Sequence, residues 1–333
     1  MHLRHNDRVT SVWRSLAEVP DDLGPTVVTI GNFDGVHRGH QAVLERTARL
    51  ARERGASSVA VTFDPHPKAV HSPEHTPELI TSLDDRLERM AATGVDAILV
   101  QEYTLEFSLQ TPQEFARGYL VEGLGATVVV IGHDTRFGRG NAGDVETMRA
   151  LGMSLGFELD VVGDASGERE GRRWSSTWVR ELLEAGDLRG AAAILGRPHR
   201  LRGEIVYGDQ IGRQIGFPTA NLEVHGGYIP RHGVYAGWLT VVDARDSGAA
   251  TIVGEPLPSA VSLGINYTVG GQELRVEAHV IGREGLDLYG AEAVLDLVEW
   301  RRPMLDFGSL EALTDALAAD AVWCREVLGL PGA

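Results

Sequence analysis

The sequence predicts an α/β domain followed by a β domain: a doubly wound, Rossmann-like parallel sheet, then a small antiparallel β-barrel with a terminal helix. Three observations predict it. Between residues 26 and about 165, short apolar β-rich runs alternate with helical patterns, the rhythm of a parallel sheet with crossover helices. Beyond Gly196-Arg197-Pro198, β signals separated by Gly and Pro turns take over. The chain has 333 residues, enough for two domains. The break lies between about 186 and 199, and the working division is 1–186 and 187–333.

In the first half, Val27–Ile30, Val59–Phe63, Ala97–Val100, Val128–Ile131 and Leu159–Val162 read as strands. Helical patterns lie around 38–54, 82–93, 112–123 and 144–155, the first with Val43, Leu44, Leu50 and Ala51 on one face. Ser175-Ser176-Thr177 supplies an N-cap for a further helical stretch that runs to about Leu195. In the second half the strand signals are Gly203–Tyr207, Val234–Val242, Ser259–Ile265, Leu274–Ile281 and Ala293–Trp300. Ser309 opens a last helix with Leu310, Leu313, Leu317, Val322 and Val327 available for packing.

Composition narrows the function. At 43% hydrophobic and 23% charged residues the chain has the make-up of an ordinary globular protein. No apolar stretch approaches the roughly 20 residues of a membrane span, and no signal-peptide core opens the sequence. Cys324 is the only cysteine, so neither an internal disulfide nor a cysteine metal site can form. A cytoplasmic protein is expected. The net charge of −16 argues against nucleic acid or anionic membrane as a partner. Lys68 is the only lysine and follows no Gly-x-x-x-x-Gly loop, which excludes a Walker-type phosphate loop. Any ATP must be met by Arg, His, backbone N–H groups and a metal ion.

The segment Gly31-Asn32-Phe33-Asp34-Gly35-Val36-His37-Arg38-Gly39-His40 joins the first strand to the first helix. A helix N-terminus offers unpaired N–H groups and partial positive charge, a seat for phosphate. Gly31, Gly35 and Gly39 let the backbone turn tightly. His37 and His40 are placed to donate to a non-bridging phosphate oxygen as charge builds. Asp34 is either a turn former or a nucleotide contact. Ser176, Thr177 and Arg180 put hydroxyls and a guanidinium at another helix start, which suits β- and γ-phosphates. Ligands of such sheets bind beyond the carboxyl ends of strands. The histidine segment, Phe63-Asp64-Pro65-His66-Pro67 and Gly132-His133-Asp134 all fall there and can line one crevice. Phe63 and His66 either serve that crevice or simply pack and cap.

In the second half, Gly208, Gly212 and Gly216 punctuate a loop that reads on into Phe217-Pro218-Thr219-Ala220-Asn221. Its N–H groups can cradle phosphate, with Arg213 beside them. Thr219 and Asn221 are two apart on an extended segment, so their oxygens share one side and suit Mg²⁺. Glu277, in the alternating strand Arg275-Val276-Glu277-Ala278-His279-Val280, is either an exposed strand residue or a general base for a hydroxyl. His279 shares its face and reads as structural.

Gly31-x-Phe33-Asp34-Gly35-x-His37-x-Gly39-His40 resembles the HxGH signature of nucleotidyltransferases. With Ser175-Ser176-Thr177-x-x-Arg180, Gly216-Phe217-Pro218-Thr219-Ala220-Asn221, Gly233-Val234-Tyr235-Ala236, Val276-Glu277 and Asp287-Leu288-Tyr289-Gly290, the chain resembles bacterial bifunctional riboflavin kinase/FAD synthetases over nearly its whole length. The resemblance implies phosphorylation of riboflavin to FMN by a flavokinase barrel. It implies adenylylation of FMN to FAD, with release of pyrophosphate, by a nucleotidyltransferase-like first domain. It implies ATP as co-substrate with Mg²⁺, held by Thr219 and Asn221, and Glu277 as base on the ribityl hydroxyl. His37, His40 and Arg180 are then catalytic. Gly31, Phe33, Asp34, Gly39, Ser176, Thr177, Gly208, Gly212 and Arg213 contact nucleotide, and Phe63, Asp134, Gly216 and Phe217 contact flavin. Riboflavin, FMN, FAD and ATP are the expected partners of a monomer or weak homo-oligomer. The chain departs from the usual family pattern at Thr135, Ile211 and Asn266-Tyr267-Thr268-Val269, which leaves flavin specificity open. Two other readings also stay open: a single-activity or analogue-specific paralogue, and a flavin-binding regulatory protein without turnover.

Overall fold

The computed structural model describes residues 2–5, 8–163, 172–208, 212, 216–245, 247–268 and 271–331. The chain divides into two compact units, one of residues 1–78 and 83–175 and one of residues 79–82 and 176–333.

The first unit carries seven strands: β1 (His2–His5), β2 (Arg8–Trp13), β3 (Thr26–Ile30), β4 (Ser57–Asp64), β5 (Ala97–Glu102), β6 (Ala126–Gly132) and β7 (Glu158–Val162). They form one sheet in the order β1-β2-β5-β4-β3-β6-β7. Every pairing is parallel except β1 with β2. The five strands expected from the apolar runs are all present. The β1–β2 hairpin was not expected, because β1 is a short edge strand of polar residues with no apolar run to announce it.

The doubly wound character follows from side-chain alternation in the central strands. β3 is buried along its whole length. Val28, Ile30, Val59, Val61, Val129 and Ile131 pack on one face with Leu120 and Met148. On the other face, Val27, Val128 and Val130 meet Val43, Leu50 and Ala51 of α1 (Arg38–Arg54). Ala60, Ile98 and Val100 meet Leu44 and Ala48 of α1, and Leu87 and Met90. A sheet buried on both faces reads as continuous apolar runs, which is why these strands were legible.

The remaining helices of this unit are α2 (Pro67–His71), α3 (Leu83–Ala91), α4 (Leu105–Ser108), α5 (Pro112–Phe115) and α6 (Val145–Leu155). The pattern read as one helix over 112–123 is α5 followed by a π-helical turn, Ala116–Gly123. Such widened turns share the apolar period of an α-helix closely enough to hide in a sequence. Strand order reverses between β3 and β6, the switch point at which ligands of such sheets bind.

The second unit begins with α7 (Ser176–Ala185) and α8 (Leu188–Leu195). Six antiparallel strands follow: β8 (His199–Val206), β9 (Ala220–Val224), β10 (Gly233–Asp243), β11 (Pro256–Thr268), β12 (Gly271–Val280) and β13 (Glu292–Arg302). They close into a barrel in the order β10-β11-β12-β9-β8-β13. The terminal helix α9 (Leu310–Val327) starts at Ser309, whose hydroxyl accepts from the Ala312 N–H. Asp320 on α9 is buried and meets Arg301 Nε at 3.1 Å and Arg302 Nη2 at 2.5 Å, tying the helix to β13. Cys324, on the same helix, is buried. Burial, with Asp320 nearby, pushes its thiol up to about 12, so it stays protonated and unreactive. No helix among the described residues is long and apolar enough to cross a membrane.

Candidate active sites

The first site is the β3–α1 junction. His37 is the N-cap of α1, with extended backbone, and its Nδ1 accepts from the His40 N–H at 3.3 Å. The two imidazoles are stacked, ring centroids 3.7 Å apart and 19° from parallel. His37 is buried and His40 half-buried, its Nδ1 shielded and without a hydrogen-bond partner. Burial chiefly, and then the neighbouring His37, holds His40 well below the ordinary imidazole pKa, so it is neutral at physiological pH. Gly39 lets the His37 ring lie close against the backbone: a Cβ there would stand 3.1 Å from His37 Cε1, and the ring would have to give.

The loop ahead of the histidines is wound tightly. Phe33 and Val36 both have left-handed backbone, with φ of 49° and 40°. Each such residue costs about 1–3 kcal/mol, and strain of this kind gathers at functional loops. The Phe33 ring is buried and meets His40 edge-on at 5.5 Å, so it supports the histidine from below. Asp34 is buried in the turn Asp34–Val36. Gly31 donates its N–H to Val61 at 3.0 Å, and a side chain there would strike the Phe33 ring.

A cleft of about 330 Å³ lies beside this loop, at the carboxyl ends of β3 and β4. Its wall is aromatic: Phe63, Tyr103, Phe107, Phe115 and Phe137. Tyr103 meets Phe63 and Phe107 edge-on at 5.6 and 5.5 Å. The polar groups are Asn32, His66, Ser108, Gln110, Thr135, Arg136 and Asn141, with Lys68 at the exposed rim. Thr135 lines the cleft, whereas Asp134 is exposed and paired with Arg173 Nη2 at 3.2 Å. Ser176, Thr177 and Arg180 open α7, which belongs to the second unit.

Sequence reasoning missed Arg86 of α3. Its side chain is 1% exposed, 3.8 Å from Asp64, and its guanidinium donates to the Asn32 and Phe63 carbonyls, both at 3.1 Å. The signal was present: Arg86 stands three residues after Leu83 and four before Met90, inside the apolar face of its helix.

The second site is on the barrel. β9 was read only as an extended segment, being five residues long and weakly apolar. Its pairing places Asn221 directly opposite Glu277 of β12, and Ala220 opposite Ala278. Residues opposite in an antiparallel pair share a face, so Asn221 and Glu277 lie side by side. Gly208 passes close over Asn221: a Cβ there would fall 2.4 Å from the amide Nδ2. The Phe217 N–H donates to the Gly212 carbonyl at 2.8 Å, closing the loop. His279 Nδ1 lies 3.0 Å from the Pro218 carbonyl and its ring 5.1 Å from Phe217, which supports the loop. Arg213 and Ile211 lie outside the described residues.

A cleft of about 370 Å³ is lined by Gly216, Thr219 and Asn221 on one side and Leu288 and Tyr289 on another. Tyr289 stacks on Tyr207 at 3.9 Å, a pair that sequence reasoning did not single out. The donors at hand, a hydroxyl and an amide oxygen, are the hard oxygen type that suits Mg²⁺ bound chiefly through substrate phosphates. Among the described residues no group of three or more His, Cys, Asp or Glu side chains is gathered to hold a metal ion.

Known proteins resemble this chain over nearly its whole length. A family model described as FAD synthetase matches residues 19–178, and one described as riboflavin kinase matches residues 195–328. A bifunctional riboflavin kinase/FMN adenylyltransferase of Escherichia coli is 34% identical over 95% of this chain and 96% of its own. The Pseudomonas fluorescens protein of the same description is 36% identical over 92% of this chain and 94% of its own. A solved structure described as a macrolide-efflux protein from Streptococcus pneumoniae superposes with a TM-score of 0.81 at 27% identity, over 95% of this chain and 98% of that one.

Proposed function

The chain belongs to the bifunctional riboflavin kinase/FMN adenylyltransferase family, and from that premise we propose how its residues carry the two reactions. It phosphorylates riboflavin to FMN with ATP, and adenylylates FMN to FAD with release of pyrophosphate. The observation that carries the residue assignment is the stacked histidine pair at the N-terminus of α1, on the carboxyl edge of the sheet.

In adenylyl transfer the FMN phosphate attacks the α-phosphorus of ATP. Negative charge grows on the non-bridging oxygens. His37 and His40 sit at the first turn of a 17-residue helix, whose positive end favours that charge. A neutral His40 still donates through one ring N–H. The pair is held before the reaction begins, by its own stacking, the His40 N–H to His37 Nδ1 bond and the Phe33 ring, so little reorganisation is needed. The aromatic cleft suits the flat, largely apolar isoalloxazine ring, with Phe63 as one wall. Ser176, Thr177 and Arg180 serve the outer phosphates of ATP.

In phosphoryl transfer Glu277 accepts the proton of the ribityl hydroxyl as that oxygen attacks the γ-phosphorus, whose bond to the bridging oxygen breaks to release ADP. Asn221, directly across the strand pair, and Thr219 supply oxygens that fit Mg²⁺. The metal, when bound, neutralises charge between the ATP phosphates. Gly208 passes close over Asn221, leaving room for a phosphate to approach the backbone there.

The test is to incubate the protein with riboflavin, ATP and Mg²⁺ and to resolve FMN and FAD by chromatography. Wild type should make both. His40→Ala should stop at FMN, with FAD formation down by about 10²–10³. Glu277→Gln should make neither from riboflavin, with phosphorylation down by about 10²–10⁴, yet still convert supplied FMN to FAD. Wild-type FAD formation by His40→Ala, or wild-type phosphorylation by Glu277→Gln, removes that residue from its role.

A further inference from the structure

A buried cation lies beneath the first site and takes no part in the chemistry above. Arg86 is almost completely enclosed. Enclosing a guanidinium is costly unless its donors are used. Here Nη1 and Nη2 are used, on two separate loops, while the buried Nε has no hydrogen-bond partner among the described residues. Nη1 donates to the carbonyl of Asn32, in the segment between β3 and the histidines. Nη2 donates to the carbonyl of Phe63, a wall of the aromatic cleft. Asp64 and Asp34 are the acidic groups that favour its charge, against the desolvation that lowers its pKa.

The place of these bonds matters. The β3–β4 pairing ends at Ile30 with Val61. Past it, the Gly31 N–H reaches Val61, and the Thr62 hydroxyl donates to Asn32 at 3.1 Å. There the two chains part, one toward His37 and His40, the other toward His66. Arg86 continues the cross-strand ties where the backbone no longer can. The Asn32 amide also lies 3.4 Å from His66 Nε2, so the two loops meet again above it. A planar fork can hold two carbonyls of different segments at once, which an ammonium on a flexible stem does far less well.

We propose that Arg86 is a positioning residue for adenylyl transfer, locking the histidine loop to the flavin wall so that the FMN phosphate and the His37–His40 pair keep one spacing. The proposal rests on the adenylyltransferase reading of this site. Small displacements of that spacing are expensive in rate.

The test uses the full chain with R86K and R86M. Folded fraction is read by circular dichroism, and riboflavin phosphorylation serves as an internal control. R86K should phosphorylate riboflavin normally, while FAD formation from FMN falls by about tenfold or more, with KM for FMN rising as kcat falls. R86M should lose more. In the ¹H–¹³C spectrum of the histidine rings, the His40 and His66 signals should both move in R86K. A merely structural arginine would lower the folded fraction and leave KM for FMN, kcat per folded molecule and both ring signals at wild-type values, and that result overturns the proposal. If R86M does not fold, R86K and the spectrum decide. If wild type itself makes no FAD from FMN, the adenylyltransferase reading falls, and the ring signals still show whether Arg86 couples the two loops.

Discussion

Two imidazoles whose centroids are 3.7 Å apart cannot both carry a proton cheaply. Burial and this neighbour together depress the pKa of His40, so the folded pair avoids the second charge. Linkage then predicts a pH dependence. In the unfolded chain His40 takes up a proton near 6.5, above its folded-state value, so the unfolded state binds more protons between the two. The stability contributed by neutral His40 is full above about 6.5 and is lost as pH falls below it. The urea midpoint of wild type should therefore drop more from about pH 7 to about pH 5 than that of His40→Gln, which has no such group. Equal drops would show that His40 titrates as an ordinary solvated histidine.

At the scale of elements, function depends on where a strand or helix ends and what it faces. α1 begins at His37 because its own ring caps the first turn, and ends at Gly55, left-handed with φ of 63°. The cap and the proposed catalytic donor are thus one residue. On the barrel, β9 is short, yet it brings Asn221 beside Glu277. Asn221→Ala should accordingly raise the Mg²⁺ concentration needed for riboflavin phosphorylation while leaving FAD formation from supplied FMN unchanged. An unchanged Mg²⁺ titration would take Asn221 out of the metal site. Histidines and glycines at a strand–helix junction were legible because that chemistry is local in sequence. The Asn221–Glu277 pairing was not, because β9 and β12 are far apart in the chain and only barrel closure sets their register.

At the scale of the molecule, a chain of two compact units should yield the kinase alone. The proposed functional division at 186/187 leaves α7 out, yet α7 belongs to the second unit by packing. The Arg231 N–H donates to the Leu183 carbonyl at 3.0 Å, and the Arg231 guanidinium lies 4.3 Å from the Trp300 ring centroid. Fragments 176–333 and 187–333 should both fold, phosphorylate riboflavin and make no FAD, with the longer fragment melting at the higher temperature. A folded 176–333 fragment without kinase activity would overturn the division of labour. A shorter fragment as stable as the longer would show that the α7 contacts add nothing.

By itself, the sequence determined the α/β-then-β order, the five core strands of the first unit, the span of α1 and the histidine, Pro-Thr-Ala-Asn and glutamate motifs. Apolar runs, capping residues and glycines act over a few neighbouring residues, so they can be read along the chain. Tertiary structure alone decided the β1–β2 edge hairpin, the strand order that puts the switch point between β3 and β6, the His37–His40 stack, the register of Asn221 on Glu277 and the enclosure of Arg86 beneath two loops. The strand order, the Asn221–Glu277 register and the Arg86 enclosure depend on groups distant in the chain, and the hairpin and the stack on how nearby residues pack against the sheet, properties that exist only once the chain has folded.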